Sequence, residues 1–401
     1  MPSSSAPASP SLRVAIFTDT FAPQMNGVAR TLGRLATELD RRGYAARVYA
    51  TTDPRSAPSP AVERWSSVPF WLYPELRLAN PKSALVERSL RRWNPTLVHV
   101  ATPFGLGLAG TKAARRLGIP VASSYHTSFG EYAKFYGLGA LAGPGWRYLR
   151  WFHNRTRRTY VPTAAISDDL RSRGFEQLRV WPRGVDADAF SAGCRSDELR
   201  RSWLADDDTV VVSYVGRIAK EKSVDVAVDA LRRLADRKKN IVPVIVGDGP
   251  LEAEIRARAP KGTIFTGRLS GAALSAAYAS SDVLVFPSTT DTFGNVILEG
   301  MASGLAVIAA DVPQTREVCG HVHAELFEAG NVAGLADQLE RVVSDRESRE
   351  ALKRGSLRHA AACGWKAVFD ALFADYEDVI RAAALERHAT PPGAHLQTSP
   401  V

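Results

Sequence analysis

The chain has 401 residues, 45% hydrophobic and 23% charged, and this length predicts two domains of roughly 150–200 residues each rather than one core. No apolar run approaches the ~18–20 residues that a membrane span needs, and the spacing of Cys194, Cys319 and Cys363 fits no metal site, which favours reduced thiols in a cytosol. The net charge of +9 is uneven, because residues 1–190 hold 26 Lys and Arg against 13 Asp and Glu, whereas residues 191–401 hold 25 against 29.

The basic first half predicts an anionic ligand or surface facing it. Nucleic acid is the general alternative, but no zinc-finger spacing and no aromatic RNA-binding motif accompanies the charge, so we expect no nucleic-acid partner. Residues 1–10 are polar and rich in Pro and Ser. They lack the apolar core of a secretory signal and predict a disordered tail.

The chain opens with a strand–helix–strand pattern. Residues 12–18 and 45–50 are apolar runs, and residues 28–42 carry apolar side chains at helical spacing. This order predicts a parallel sheet with helices on its faces. Asn26 and Gly27 precede the helix and either offer backbone amides to an anion or form only a turn and a helix cap. The three spaced glycines of a dinucleotide site are missing, so NAD is not indicated.

The alternation of predicted strands and helices continues as far as His126, which follows a strand. Residues 52–81 predict a surface loop or an irregular strand pair. Further helices and strands are predicted over residues 83–93, 97–100, 104–118 and 121–125. His126 then stands at the carboxyl end of a strand, the edge where open α/β sheets bind ligands. A single histidine is also common as a structural residue, so its position alone leaves both interpretations open.

The stretch from Trp146 to Tyr160, WRYLRWFHNRTRRTY, combines five arginines with aromatic residues. Laid on a helix, the aromatic residues and Leu149 favour one side and the arginines flank them. Such a basic amphipathic helix predicts contact with an anionic membrane surface. A core helix with a basic outer face is the alternative.

The remaining elements predict a second domain. Apolar runs at residues 164–166 and 178–181 predict the closing strands of a first domain at residues 11–190, and the charged residues 191–208 predict a linker. A new strand–helix series predicts a second doubly wound domain at residues 209–364. Its strands are predicted over residues 209–215, 242–246, 263–266, 283–286 and 306–310. Helices are predicted over residues 224–238, 251–258, 295–302, 334–354 and about 365–385, with a disordered tail from His388.

Residues 288–311 form the most informative stretch. Asp291 lies in a loop after a buried strand, and Glu299 lies eight residues on, inside a helix. The amides between them stand near the positive end of the helix dipole. Carboxylates accept hydrogen bonds from hydroxyl groups and the amides suit phosphate, so the loop is suited to a nucleotide sugar. The alternative is a simple turn followed by a solvated helix residue.

A second candidate loop, residues 216–222 (GRIAKEK), also follows a strand. A diphosphate needs cations on more than one oxygen; Arg217 can engage two oxygens and Lys222 supplies a point charge. Two solvated basic residues are the alternative. Further Gly-bearing strand ends at residues 247–250 and 267–268 favour the functional interpretation.

These motifs together resemble the family 4 retaining glycosyltransferases. The matching segments are NGV at 26–28, His126 after its strand, GRIAKEK at 216–222, GDGP at 247–250 and DTFGNVILEGMASG at 291–304. The resemblance implies an α/β, GT-B fold, in which two Rossmann-like domains face each other across a cleft and the last helix crosses back onto the first domain. TDTFG is similar to a subgroup that includes mannosyltransferases and sulfoquinovosyl- or glucosyl-lipid synthases.

The resemblance also implies roles. A hexosyl unit would pass from a nucleotide sugar, GDP-mannose or a UDP-hexose, to a lipid or small hydroxyl acceptor, with retention and without a metal. Arg217 and Lys222 are implied to hold the diphosphate, and Glu299 the ribose. Asp291, where many members carry Glu, and His126 are implied to contact the sugar. The implied site residues are Asn26, Gly27, His126, Gly216, Arg217, Lys222, Gly247, Arg268, Asp291, Phe293, Gly294, Asn295, Val296 and Glu299.

Two other classes stay open at this level: another enzyme of the same fold, such as a sugar-nucleotide epimerase or a sugar-phosphate synthase, and a non-catalytic binding protein. An epimerase differs in needing no acceptor. No Asp-x-Asp metal motif lies at the predicted site; Asp186 and Asp188 have that spacing but lie between the domains. We expect a cytoplasmic protein, with peripheral attachment to the inner face of the plasma membrane as a further expectation.

Overall fold

The computed structural model describes residues 12–24, 26–70, 73–126, 142–237, 239–320 and 323–389. The tail predicted at residues 1–10 lies outside these ranges. The tail predicted from His388 lies outside them from residue 390 onward, since the last helix continues to Ala389.

The first half of the chain forms a sheet of seven parallel strands in the order β3-β2-β1-β6-β7-β8-β9. The strands are β1 Arg13–Thr18, β2 Ala45–Thr51, β3 Val62–Trp65, β6 Leu97–Val100, β7 Val121–Ser124, β8 Arg158–Val161 and β9 Leu178–Val180, with a separate hairpin of β4 Ser67–Phe70 and β5 Tyr73–Ala79. The hairpin answers the open prediction over residues 52–81 in favour of a strand pair.

Within the described ranges, helices alternate with the strands of this sheet. The first begins after Asn26, whose Oδ1 accepts a hydrogen bond from the Ala29 amide at 2.9 Å and so caps the free N–H groups of the first turn. Leu32, Leu35 and Leu39 follow at helical spacing and are fully buried. The helices are α1 Gly27–Arg41, α2 Ser83–Trp93, α3 Gly105–Arg116, α4 Ala142–His153 and α5 Ala164–Ser172.

The second half forms a sheet of six parallel strands in the order β12-β11-β10-β13-β14-β15. The strands are β10 Val210–Val215, β11 Ile241–Val246, β12 Ile264–Gly267, β13 Val283–Phe286, β14 Ala306–Ala310 and β15 Glu325–Phe327. Its helices are α6 Asp197–Ser202, α7 Val224–Asp236, α8 Glu252–Arg258, α9 Gly271–Ala279, α10 Asn295–Ala302, α11 Pro313–Val318, α12 Val332–Ser344, α13 Arg346–Ala362 and α14 Trp365–Ala389. Two parallel sheets flanked by helices confirm the predicted α/β class.

Strand order decides where a ligand can bind. The chain adds strands toward one edge of the first sheet as far as β3 and then toward the other edge from β6, so the strand order reverses between β1 and β6. In the second sheet the order reverses between β10 and β13. Ligands of open α/β sheets bind at such reversals, outside the carboxyl ends of the strands. The loops after β10 and β13, at residues 216–222 and 287–294, are therefore neighbours.

The predicted linker packs into the second half of the molecule, and the last helix packs onto the first half. In residues 191–208, Trp203 and Ala205 are buried in the core of the second sheet. In α14, Phe369 and Tyr376 are buried with the core of the first sheet. The two connections between the halves run side by side, because the Val185 amide donates to the Cys363 carbonyl at 2.9 Å.

Two sequence predictions about elements are wrong. The amphipathic helix predicted through Tyr160 ends at His153, and Arg158–Val161 is instead strand β8, paired with β7 and β9. The turn between them is held by the Thr156 hydroxyl, which donates to the His153 carbonyl at 2.7 Å. Residues 164–166, predicted as a strand, begin α5, since Thr163 caps the Ile166 amide at 3.2 Å.

Candidate active site

One cleft of about 1430 Å³ runs between the carboxyl edges of the two sheets. Every residue that the sequence nominates for the site lines it. From the first half these are Asn26, Gly27 and His126; from the second half they are Gly216, Arg217, Lys222, Gly247, Arg268, Asp291, Phe293, Gly294, Asn295, Val296 and Glu299. The structure thus brings together residues that lie up to 273 positions apart in the chain.

The two predicted phosphate cations sit on the loop after β10. Lys222 Nζ lies 2.6 Å from Asp291 Oδ1, and Arg217 Nη1 lies 3.6 Å from Glu221 Oε1. The loop after β11 packs closely against the loop after β10. Gly247 has a φ of +141°, and a Cβ at this position would lie 1.9 Å from the Gly216 carbonyl oxygen. Only glycine fits, so the GDGP motif here reflects close packing of two site loops.

The loop and helix after β13 hold buried polar atoms without partners. Gly294 adopts a φ of +82° and precedes α10, which begins at Asn295. The first residues of α10 line the cleft, so the N-terminus of this helix lies at the cleft wall. Among the described residues, Ser288 Oγ, Asp291 Oδ2 and Asn295 Oδ1 are buried and make no hydrogen bond. Buried polar groups are rarely left unpaired in folded proteins, so three within eight residues indicate a ligand-binding segment.

Glu299 joins the two halves of the chain. Its side chain is 10% exposed; Oε1 lies 3.1 Å from Arg30 Nη1 of α1. Its Oε2 accepts a hydrogen bond of 3.0 Å from the hydroxyl of Tyr278, whose pKa is raised well above the usual value by burial and by this carboxylate. Glu299 is therefore a buried carboxylate at the cleft wall and not the solvated helix residue that spacing alone allowed.

His126 is held on three sides. Its Nε2 lies 2.7 Å from Ser124 Oγ, its Nδ1 lies 3.0 Å from Arg183 Nη2, and its carbonyl oxygen accepts from Thr292 Oγ1 at 2.9 Å. Burial, and then the charge of Arg183, hold its pKa well below the usual value. Both ring nitrogens are thus engaged inside the protein, which leaves the ring carbons and the second lone pair of the carbonyl for any sugar.

Arg268 lies at the exposed rim of the cleft. Its Nη2 and Nε lie 2.8 and 3.2 Å from Asp248 Oδ1. The guanidinium and this carboxylate offer donors and acceptors to the edge of a nucleobase. Its predicted contact with the base stays a prediction.

Sequence reasoning missed three side chains that shape the site: Arg30, Arg183 and Thr292. Each acts on a residue that is remote in sequence. Thr292 lies inside the DTFG motif, but the motif does not show that its hydroxyl bonds His126, and Arg30 and Arg183 lie outside the predicted motifs. Arg183 lies two residues after the predicted strand 178–181, which is the signal that the sequence offers for it.

Of the two carboxylates with the spacing of a metal motif, Asp188 lines the cleft and Asp186 is held in an ion pair. Asp186 Oδ2 lies 2.6 Å from Arg34 Nη2, across the connection between the halves. In the part of the chain that the structure describes, no group of three or more His, Cys, Asp or Glu side chains is arranged to hold a metal ion. The expectation of metal-independent chemistry stays a prediction.

Comparison with known proteins decides the family. The model described as Glycosyltransferase Family 4 matches residues 25–189, and that described as Glycosyl transferases group 1 matches residues 195–358. A GDP-mannose-dependent alpha-mannosyltransferase of Mycolicibacterium smegmatis is 34% identical over 92% of this chain and 98% of its own length. The chain is a family 4 glycosyltransferase.

Two further comparisons place this glycosyltransferase among its relatives. The alpha-monoglucosyldiacylglycerol synthase of Streptococcus pneumoniae is 29% identical, over 75% of this chain and 72% of its own. The solved structure of sucrose-phosphate synthase from Thermosynechococcus elongatus superposes with a TM-score of 0.73, at 19% identity, over 92% of this chain and all of the other. At that identity the likeness concerns the fold, and it confirms the GT-B prediction.

Proposed function

We propose that this glycosyltransferase moves a hexosyl unit from a nucleotide sugar to a hydroxyl group, with GDP-mannose as the first donor to test. The observation that carries the proposal is the segment Ser288–Asn295. Three of its residues have a buried polar atom without a partner, and these residues line the same cleft as Arg217 and Lys222. Polar acceptors suit sugar hydroxyls, and the cations suit a diphosphate. The named activity of the mycobacterial relative supports the choice of donor.

In this proposal the bond between the sugar C1 and the diphosphate oxygen breaks while a bond from C1 to the acceptor oxygen forms on the same face. The acceptor proton passes to the departing diphosphate, so no covalent intermediate on the enzyme is needed. Arg217 and Lys222 stabilise the negative charge that develops on the leaving group, helped by the N-terminus of α10. No step requires a metal.

A thermal-shift panel tests the donor. The protein is heated with GDP, UDP or ADP and with the corresponding hexose conjugates, each with and without EDTA. We expect GDP and GDP-mannose to raise the Tm, since a ligand at 100 times its Kd stabilises a protein by about 2.7 kcal/mol. EDTA should leave the shift unchanged. A shift with the UDP series alone would replace GDP-mannose by a UDP-hexose, and no shift with any nucleotide would contradict the proposal.

We further propose that the acceptor is a lipid reached at an anionic membrane surface. On α4 and the turn after it, Arg147, Arg150 and Arg155 are exposed, and the Arg155 guanidinium lies 4.6 Å from the ring centroid of Trp151, which is 40% exposed. Arginine beside exposed tryptophan suits an interface of lipid headgroups. The glucosyldiacylglycerol synthase relative supports a lipid acceptor. Among the described residues no helix combines the length and apolarity to span a bilayer.

Vesicle binding tests this surface. The protein should sediment with phosphatidylglycerol vesicles at low salt and much less with phosphatidylcholine vesicles or at high salt, because surface charge is screened by salt. The double variant Arg147→Glu, Arg150→Glu should lose binding. Arg171→Glu on α5, an exposed arginine paired with Asp168, is the control and should retain binding. The single variant Arg147→Glu changes the net charge equally and should lose part of the binding. Equal vesicle binding by both single variants would contradict the proposal that α4 binds the membrane surface.

A further inference from the structure

The imidazole of His126 has a partner on each nitrogen, and one partner fixes the direction of both hydrogen bonds. Arg183 Nη2 lies 3.0 Å from Nδ1. A guanidinium carries only donors and stays protonated in proteins. Nδ1 must therefore accept, which means that it carries no proton. The ring proton then lies on Nε2 and is donated to Ser124 Oγ at 2.7 Å.

Arg183 is itself held rigidly. The residue is 5% exposed, and Nη1 donates to the Trp181 carbonyl at 2.6 Å. The guanidinium also lies 4.5 Å from the ring centroid of Trp181. Two anchors on the same residue leave Nη2 little freedom to turn away from His126.

No carboxylate pairs with Arg183 among the residues that the structure describes. Burial lowers its pKa to about 9, so it remains a cation at neutral pH. A buried charge without a counter-ion is costly unless its hydrogen bonds are well satisfied. Its donors go to backbone carbonyls and to His126, at the wall of the cleft. Among the described residues, His126 is the one side chain to which the Arg183 guanidinium donates a hydrogen bond, and positioning His126 therefore accounts for a guanidinium at this place.

The far side of the ring is fixed just as firmly. Ser124 Oγ also lies 2.8 Å from His99 Nε2, and His99 Nδ1 bonds the Tyr376 hydroxyl of α14. The ionisable groups that act on His126 are Arg183, His99 and His153. Burial lowers the pKa of both His99 and His153 to about 3, so these two stay neutral and Arg183 is the only charge among them.

We propose that Arg183 is a positioning residue that holds His126 as the neutral, Nε2-protonated tautomer in one orientation at the cleft. His126 then neither takes a proton from the acceptor nor gives one to the leaving group. It serves as a fixed wall for the donor sugar. The tautomer is a property of the protein alone, whereas the effect on turnover rests on the function proposed above.

Nitrogen NMR of the protein labelled with 15N-histidine tests the tautomer without any substrate. The chain has eight histidines, and His126→Gln identifies the signal by its loss. In the wild type we expect Nε2–H with an unprotonated Nδ1 throughout about pH 6–8, where an ordinary histidine titrates. A signal from Nδ1–H or from a doubly protonated ring at neutral pH would overturn the proposal, whether or not a donor has been found.

Two substitutions of Arg183 distinguish the effect of its charge and hydrogen-bond donors from the effect of its size. Arg183→Lys keeps a cationic donor and should keep the tautomer. Arg183→Met keeps the length but not the donor, so both tautomers should appear and the pKa of His126 should rise toward its usual value. An unchanged tautomer in Arg183→Met would overturn the proposal, and if that variant does not fold, the wild-type spectrum still decides.

Kinetics give the second readout. With the donor found by thermal shift, Arg183→Met should lower kcat by roughly 10- to 100-fold, the range that losing an orienting partner costs at other sites. Nucleotide affinity should be unchanged, because Arg217, Lys222 and Glu299 are untouched, and Arg183→Lys should restore most of kcat. A lost nucleotide affinity, or no rescue by Lys, would indicate a structural role only.

Discussion

At the scale of single residues, the cations of the cleft are engaged with carboxylates that also line it. Lys222 Nζ lies 2.6 Å from Asp291 Oδ1, while Asp291 Oδ2 is buried without a partner among the described residues. A diphosphate arriving at Lys222 would share that ammonium with Asp291 or displace it. Asp291 would then turn toward the sugar hydroxyls, so one ion pair links the phosphate and sugar parts of the site.

We predict that Lys222→Ala lowers kcat by about 10²–10³-fold, as loss of a charge-stabilising donor does at other sites. The physical reason is that charge on the leaving diphosphate loses a cation. Arg217→Ala should have a similar effect. Steady-state kinetics with the donor from the thermal-shift panel measure it. Lys220→Ala is the control, since Lys220 is exposed on the same short helix, Lys220–Lys222, outside the cleft lining. Near-normal turnover in Lys222→Ala would contradict the phosphate role.

We predict that Glu299→Ala weakens nucleotide binding by roughly 10- to 100-fold, because hydrogen bonds to a charged group contribute about 1.5–3 kcal/mol. Calorimetric titration with GDP and with UDP measures the loss. Arg30→Gln is the control: it removes the ion pair at 3.1 Å and leaves the carboxylate for ribose hydroxyls. We expect its affinity to be unchanged or tighter. An equal loss in both variants would mean that the ion pair, and not a ribose contact, explains the effect.

At the scale of elements, local patterns fixed most boundaries. Val283–Phe286, Asn295–Ala302 and Ala306–Ala310 were predicted to the residue, because Pro287 and Gly304 interrupt the apolar runs. All site residues drawn from loops after such strands reached the cleft. Their placement follows from one rule, that the carboxyl ends of parallel strands share an edge.

The errors arise where the local caps of Thr156 and Thr163 are joined by tertiary contacts that no local pattern contains. The helix predicted through Tyr160 ends early, where Asn154 Nδ2 donates to the Gly174 carbonyl at 2.9 Å. Helix α5 is capped at its first amides by Glu317, about 150 residues further along. Arg183 meets His126 across 57 positions. Each of these contacts exists only after the chain has folded, so spacing and composition cannot reveal it.

The docking of α14 onto the first sheet also rests on such contacts. Asp375 is 6% exposed, and its Oδ2 accepts from the Tyr160 hydroxyl at 2.7 Å and from Arg158 Nε at 3.1 Å. We predict that Asp375→Asn lowers the free energy of unfolding by about 1–3 kcal/mol, the cost of leaving buried partners poorly satisfied. Urea denaturation measures it. Asp378→Asn, exposed on the same helix, should stay near wild type, and equal stability of the two variants would contradict the role of Asp375.

At the scale of the whole molecule, contacts outside the helix α14 join the two halves around the cleft. Arg30 pairs with Glu299, and Thr292 donates to the His126 carbonyl. At the edge of the first sheet, Glu317 of α11 accepts hydrogen bonds from the Ala164 and Ala165 amides. The first two involve residues that are implied to touch the donor. Glu317 lies outside the cleft lining, so it can be changed without altering the proposed ligand contacts.

We predict that Glu317→Ala shifts the molecule toward more open arrangements while leaving each half folded. Its oxygens lie 2.8 and 3.0 Å from the first amides of α5, a carboxylate cap at the positive end of a helix. Losing such a cap costs about 1 kcal/mol, which changes the ratio of closed to open molecules by about fivefold. Small-angle X-ray scattering should then give a larger radius of gyration. Glu328→Ala, which removes a carboxylate that bonds only within the second half at Asn331, is the control, and identical scattering from both variants would mean that Glu317 caps α5 without holding the halves together.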